Sequence, residues 1–127
     1  SEIVRIADEL GIKKKVKFIT YTNKLNKWYS AMDVLLFPSL YEGFGLVPLE
    51  AQVSSLPILA SSNVAPQVFV TQNIKRITGY DKDNWVKKLS TIKFKTNEER
   101  SSLDSSLNKF DVKKQANQIS SLLESEK

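Results

Sequence analysis

The chain has 127 residues, 41% of them hydrophobic and 26% charged, which is the length and composition of one ordinary globular domain. It contains no Cys and no His, so a disulfide framework, a thiolate metal site and histidine acid–base chemistry are all excluded. The formal charge is +5 and falls mostly in residues 61–127, but acids are interspersed with the bases, and no interleaved aromatics mark a nucleic-acid platform. Neither a long apolar run nor a signal-peptide pattern is present. The sequence opens at Ser1, without Met and already inside a helical pattern, so we expect an excerpt of a longer protein.

Ile3, Ile6, Ala7 and Leu10 recur at helical spacing, and Gly11 stands where a helix C-cap belongs. The alternating, β-branched "VKFIT" (16–20) predicts a strand. Leu25, Trp28, Tyr29 and Met32 mark one face of a helix. "DVLLFP" (33–38) reads as a strand buried on both faces, followed by a glycine-bracketed turn and a helix over about 45–55. "LPILAS" supplies the next buried strand. Both "QVFVT" (67–71) and "IKRIT" (74–78) are strand candidates, the second the better one for the sheet. Trp85, Leu89 and Ile92 mark a helix beginning near Asp81. Residues 95–108 are polar, with a faint helical trace through Leu103, Leu107 and Phe110. Val112, Ala116, Ile119 and Leu123 outline a last amphipathic helix capped by Asp111. The order α-β-α-β-α-β predicts an α/β fold: a Rossmann-like, open, mainly parallel sheet with helices on both faces.

The chemistry concentrates in "PSLYEGFGLVPLEAQV" (38–53). Ligands of parallel α/β sheets bind beyond the carboxyl ends of the strands, and this loop lies there. Gly43 and Gly45 allow a sharp turn and a close backbone approach. Pro48 fits the first helical turn, whose orphan amides and dipole favour an anion such as phosphate. Two carboxylates, Glu42 and Glu50, flank that site with seven residues between them. Glu50 falls on the stripe with Leu46 and Val53 that we expect to face the protein, so it needs hydrogen-bond donors. Those are either a Lys, an Arg or backbone amides of the chain, or the vicinal hydroxyls of a ribose. Glu42 either complements the helix N-terminus or accepts from sugar hydroxyls. Two acids beside an anion site suit a nucleotide sugar.

The same stretch, with "WYSAMDVLLFPS" before it and "EAQVSSLPILASSNVAPQVF" after it, resembles the signature of the family-4 retaining glycosyltransferases, of the bacterial capsule and exopolysaccharide branch. The similarity covers about residues 1–92, and the ending "FDVKKQANQISSLL" also fits. It implies a GT-B fold of two Rossmann-like domains, with residues 1–127 as most of the C-terminal, donor-binding one. In that resemblance Glu42 is the catalytic candidate and holds hydroxyls of the donor sugar, while Glu50 holds the ribose. The backbone of Gly43, Phe44, Gly45, Leu46 and Val47 cradles the sugar and diphosphate. It further implies retention at the anomeric carbon, no cofactor and no obligatory metal, and a saccharide or lipid-linked acceptor on the missing N-terminal domain. The setting it implies is the cytoplasmic side of the membrane, with possible peripheral contact and no nucleic acid. The family's basic pair for the diphosphate lies upstream of Ser1, Ser55 replaces a common Gly, and Gln67 stands near a frequent Glu. The other readings are a receiver-like or regulatory nucleotide-binding module, which lacks the acid expected at the end of "DVLLFPS", and a nucleic-acid binder, which rests on pI alone.

Overall fold

A computed structural model of the chain describes residues 1–101; the expected helical trace after Ser101 and the final helix capped by Asp111 lie outside the described residues. Helix α1 (Glu2–Glu9) carries the apolar spacing seen in the sequence and an Arg5–Glu9 ion pair on its surface. Gly11 ends it at φ +66, where its N–H reaches the Asp8 carbonyl and that of Ile12 the Ala7 carbonyl. This pair of bonds satisfies the carbonyls that a helix end leaves open. Of the apolar stripe only Ala7 is buried, while Ile3 and Leu10 face solvent.

Residues 16–20 are not a strand. After a 3₁₀ turn at Lys13–Lys15, Val16 is extended, but the segment pairs with no described strand, and Val16, Phe18 and Ile19 stay exposed. Alternation and β-branching favour an extended backbone, whereas a strand also requires a neighbour to complete its ladder. The segment is tied instead through Lys17, whose ammonium lies 5.3 Å from the centre of the Trp28 ring on helix α2 (Leu25–Ala31).

Three parallel strands, β1 (Leu35–Phe37), β2 (Ile58–Ser61) and β3 (Ile74–Ile77), form the sheet in the order β1-β2-β3. Leu36 pairs with Leu59 and Ala60 with Arg76. Helix α3 (Leu46–Val53) makes the crossover from β1 to β2. The connection from β2 to β3 contains a 3₁₀ turn at Pro66–Val68, so "QVFVT" is not a strand and "IKRIT" is. Ile58, Ala60 and Ile74 pack with Tyr29 of α2, Ala51 of α3, and Leu56, Val64 and Val68. Leu59 and Ile77, of opposite parity along their strands, are buried too, so β2 is covered on both faces. Each such aliphatic side chain contributes about 1.5–3 kcal/mol on burial. The α/β reading with a parallel sheet therefore holds.

Helix α4 (Lys82–Ser90) starts where expected, the Asp81 carboxylate accepting from the Asn84 amide at 2.9 Å. A short helix α5 (Asn97–Ser101) follows. At the end of α3, Ser55 is held at φ +52 and is buried. The left-handed conformation costs an L-residue with a Cβ roughly 1–2 kcal/mol. Ser55→Gly is therefore expected to raise stability by about 0.5–1 kcal/mol once glycine's greater freedom in the unfolded chain is subtracted. A thermal midpoint unchanged or lowered in Ser55→Gly would contradict this.

Candidate functional site

The loop from Pro38 to Gly45 leaves the carboxyl end of β1 and enters α3. Its course is fixed by groups from the carboxyl ends of the other two strands. Ser61 Oγ and the Tyr80 hydroxyl both donate to the Ser39 carbonyl, at 2.6 and 2.7 Å. Asn63 Nδ2 donates to the Leu40 carbonyl and, at 2.9 Å, to the Tyr80 oxygen. Ser39 Oγ in turn lies 3.2 Å from Glu42 Oε2 and 2.9 Å from the Tyr41 carbonyl. Glu42 is thus partly buried and steadied by a hydroxyl at the mouth of the sheet.

The two glycines differ. Gly45 sits at φ +79, and a Cβ there would lie 3.4 Å from methyls of both Val64 and Val68. Gly43 needs no left-handed backbone, and a Cβ on it would meet open space. The sharp entry into α3 therefore belongs to Gly45 alone. No side chain caps α3, whose first amides have no partner within the helix, and Phe44, Leu46 and Val47 around them are exposed. That end of the helix presents donors and the positive end of its dipole to solvent.

Glu50 does not lie on a buried stripe. The face that α3 turns inward carries Pro48, Ala51 and Gln52, while Leu46, Glu50 and Val53 face outward. The segment is apolar nearly all round, so helical spacing fitted either stripe equally well and could not choose between them. The buried polar residue is Gln52, which bonds to the Val68 carbonyl at 2.7 Å and the Thr71 amide at 3.0 Å and so ties α3 to the β2–β3 connection. Exposure removes the desolvation argument for Glu50 and leaves its carboxylate open to a ligand. Its protein contact is the Tyr29 hydroxyl, which donates to Oε2 at 3.2 Å. Burial, and then the charge and hydrogen bond of Glu50, push that hydroxyl well above the usual tyrosine range, so it stays protonated and remains a donor. Asn26, Tyr29, Glu50, Val53 and Ser54 line one open pocket. Glu42 and Glu50 make no contact with each other; Glu42 precedes the helix, and about 6 Å of axial rise separates Leu46 from Glu50.

Arg100 of α5 lines a neighbouring pocket with Ser30, Ser54 and Asn97. Its guanidinium donates to the carbonyls of Tyr29, Ser30 (3.1 Å) and Met32 (2.8 Å) at the end of α2, and of Ser54 (3.3 Å) at the end of α3. Sequence reasoning singled out none of Ser39, Ser61, Asn63, Tyr80, Gln52 or Arg100. The first four could have been sought at the carboxyl ends of the strands, where ligand loops are held. Among the described residues no three His, Cys, Asp or Glu converge to hold a metal, and no helix is long and apolar enough to cross a membrane.

The family model described as "Glycosyl transferases group 1" matches residues 1–105. The chain belongs to that family. It is 34% identical over 94 residues to D-inositol 3-phosphate glycosyltransferase of Mycolicibacterium smegmatis, covering 71% of this chain and 22% of that protein. It is 35% identical over 77 residues to an uncharacterized glycosyltransferase of Methanocaldococcus jannaschii (59% and 20%). To the lipopolysaccharide core biosynthesis mannosyltransferase LpsB of Rhizobium meliloti it is 32% identical over 71 residues (56% and 20%). The chain thus spans about a fifth of the length of the curated relatives it matches. No solved structure matches it significantly.

Proposed function

We propose that this group 1 domain is the donor-binding half of a retaining glycosyltransferase that builds surface polysaccharide. The observation that carries the reading is the uncapped start of α3, entered through a left-handed Gly45 at the mouth of the parallel sheet, with Glu42 before it and Glu50 one turn inside. The amides of the 43–47 segment would hold the sugar and the diphosphate. Glu42 would accept from hydroxyls of the transferred sugar, close to the reacting carbon, and Glu50 from the ribose. Amides and the helix dipole would stabilise the charge that develops on the nucleoside diphosphate as its bond to the anomeric carbon breaks, so that it can depart.

The acceptor would be a saccharide, free or lipid-linked, held by a second domain. Reaction needs both halves at contact distance, so this domain alone carries the donor only. The name of the R. meliloti relative supports a polysaccharide product, and the proposed setting is the cytoplasmic side of a membrane.

Glu50→Ala in the full-length protein is expected to weaken nucleotide and nucleotide sugar alike, because both contain ribose. Glu42→Ala is expected to weaken the sugar nucleotide more than the bare nucleotide. Loss of a hydrogen bond to a charged group corresponds to about 10- to 150-fold in affinity. Calorimetry with both ligands checks this, and equal losses for both ligands in both variants would contradict the division of roles.

A further inference from the structure

The Tyr29 ring is 3% exposed and belongs to the core with Ala51, Leu56 and Ile58, while its hydroxyl emerges against Glu50. Its carbonyl is gripped by Arg100, which also holds Ser54, four residues beyond Glu50. The ring is therefore held by the core and its backbone by Arg100, whereas the exposed Glu50 side chain is free to come to it. We propose that Tyr29 is the positioning residue for Glu50: it holds Oε2 and leaves Oε1 turned outward to accept from the ribose hydroxyls. This rests on the ribose role given above to Glu50. An exposed glutamate otherwise spreads over several rotamers, and a ligand that needs one of them loses the rest as entropy. A phenol donating to a carboxylate is a charge-assisted contact, which biases the side chain toward one rotamer. At 3.2 Å it is longer than the roughly 2.7–2.8 Å usual between hydroxyl and oxygen, so the carboxylate keeps room to close on a ligand. Burial and the Glu50 charge push the phenol above the usual tyrosine range, so it stays a donor into alkaline solution as well as at neutral pH.

The experiment uses the full-length protein and Tyr29→Phe, which keeps the buried ring and removes only the hydroxyl. UDP, GDP and ADP are titrated by calorimetry to find the nucleotide bound, which is then compared with its 2′,3′-dideoxy form. The wild type is expected to bind the ribonucleotide about 10- to 150-fold more tightly than the dideoxy form. Tyr29→Phe is expected to lose about 3- to 10-fold toward the ribonucleotide and to leave the dideoxy affinity unchanged. In a Glu50→Ala background the same substitution should cost nothing further. Equal losses toward both nucleotides, or no loss toward either, would overturn the positioning role while leaving the ribose contact standing. A wild type that does not distinguish the two nucleotides would instead overturn the ribose role itself.

Discussion

Replacing Gln52 by leucine is expected to cost the domain about 3–5 kcal/mol of stability, although leucine is apolar and close in volume. Gln52 is completely buried, and its amide group stands in for a strand at a place where the chain has none. Nε2 donates to the carbonyls of Val68 (2.7 Å) and Pro48 (3.1 Å). Oε1 accepts from the amides of Val70 (3.2 Å) and Thr71 (3.0 Å) and from the Thr71 hydroxyl (3.1 Å). Leucine would fill the space but leave the Thr71 amide and hydroxyl without their acceptor, at about 1–3 kcal/mol each, while the Val70 amide keeps its bond to the Val68 carbonyl at 2.9 Å. Set against the roughly 5–15 kcal/mol that holds a typical domain, the loss is large. Denaturant unfolding should show a lower midpoint at unchanged slope. A change below about 1 kcal/mol would mean that the connection finds other partners.

Arg100→Ala is expected to cost about 2–4 kcal/mol, and Arg100→Lys to recover less than half of it. The guanidinium lies at the negative ends of two helix dipoles at once and satisfies carbonyls that α2 and α3 leave open. A lysine keeps the charge, but a single ammonium cannot span four carbonyls on two helices in the way a planar fork does. Because Tyr29 and Glu50 stand on these two helices, the proposed ribose role of Glu50 implies that Arg100→Ala also weakens nucleotide binding. Stability and affinity that both survive in Arg100→Ala would show the clamp to be incidental.

What the sequence made legible was local. β1, α3 and β2 follow from two short apolar runs with a glycine turn between them, and Asp81 announces α4 because a cap acts on its own helix. Residues 16–20 were misread because their composition reports an extended backbone, while pairing depends on a strand far away in the chain. The inward face of α3 was misread because its apolar residues nearly encircle it. Within the site, Glu42, Glu50 and Gly45 stood out by spacing and by turn chemistry. Tyr29 was placed on one face of a helix, but nothing local said that its hydroxyl would meet a carboxylate 21 positions later. Arg100 was harder still, since its partners lie 46 to 71 residues earlier and any exposed-looking basic residue on a polar stretch reads the same.

Gly45 lies against the core: methyls of Val64 and Val68 stand 3.4 Å from where a side chain would begin, in contact with it. Two ordinary valines of the hydrophobic interior thus act as a gauge for where the loop backbone runs. A methylene added at either one is resisted by a close-packed interior and is relieved most easily by displacing the glycine outward. On the donor-binding role proposed above, the course of the cradle would thus depend on two side chains buried in the core, and enlarging either would alter donor binding without touching the donor.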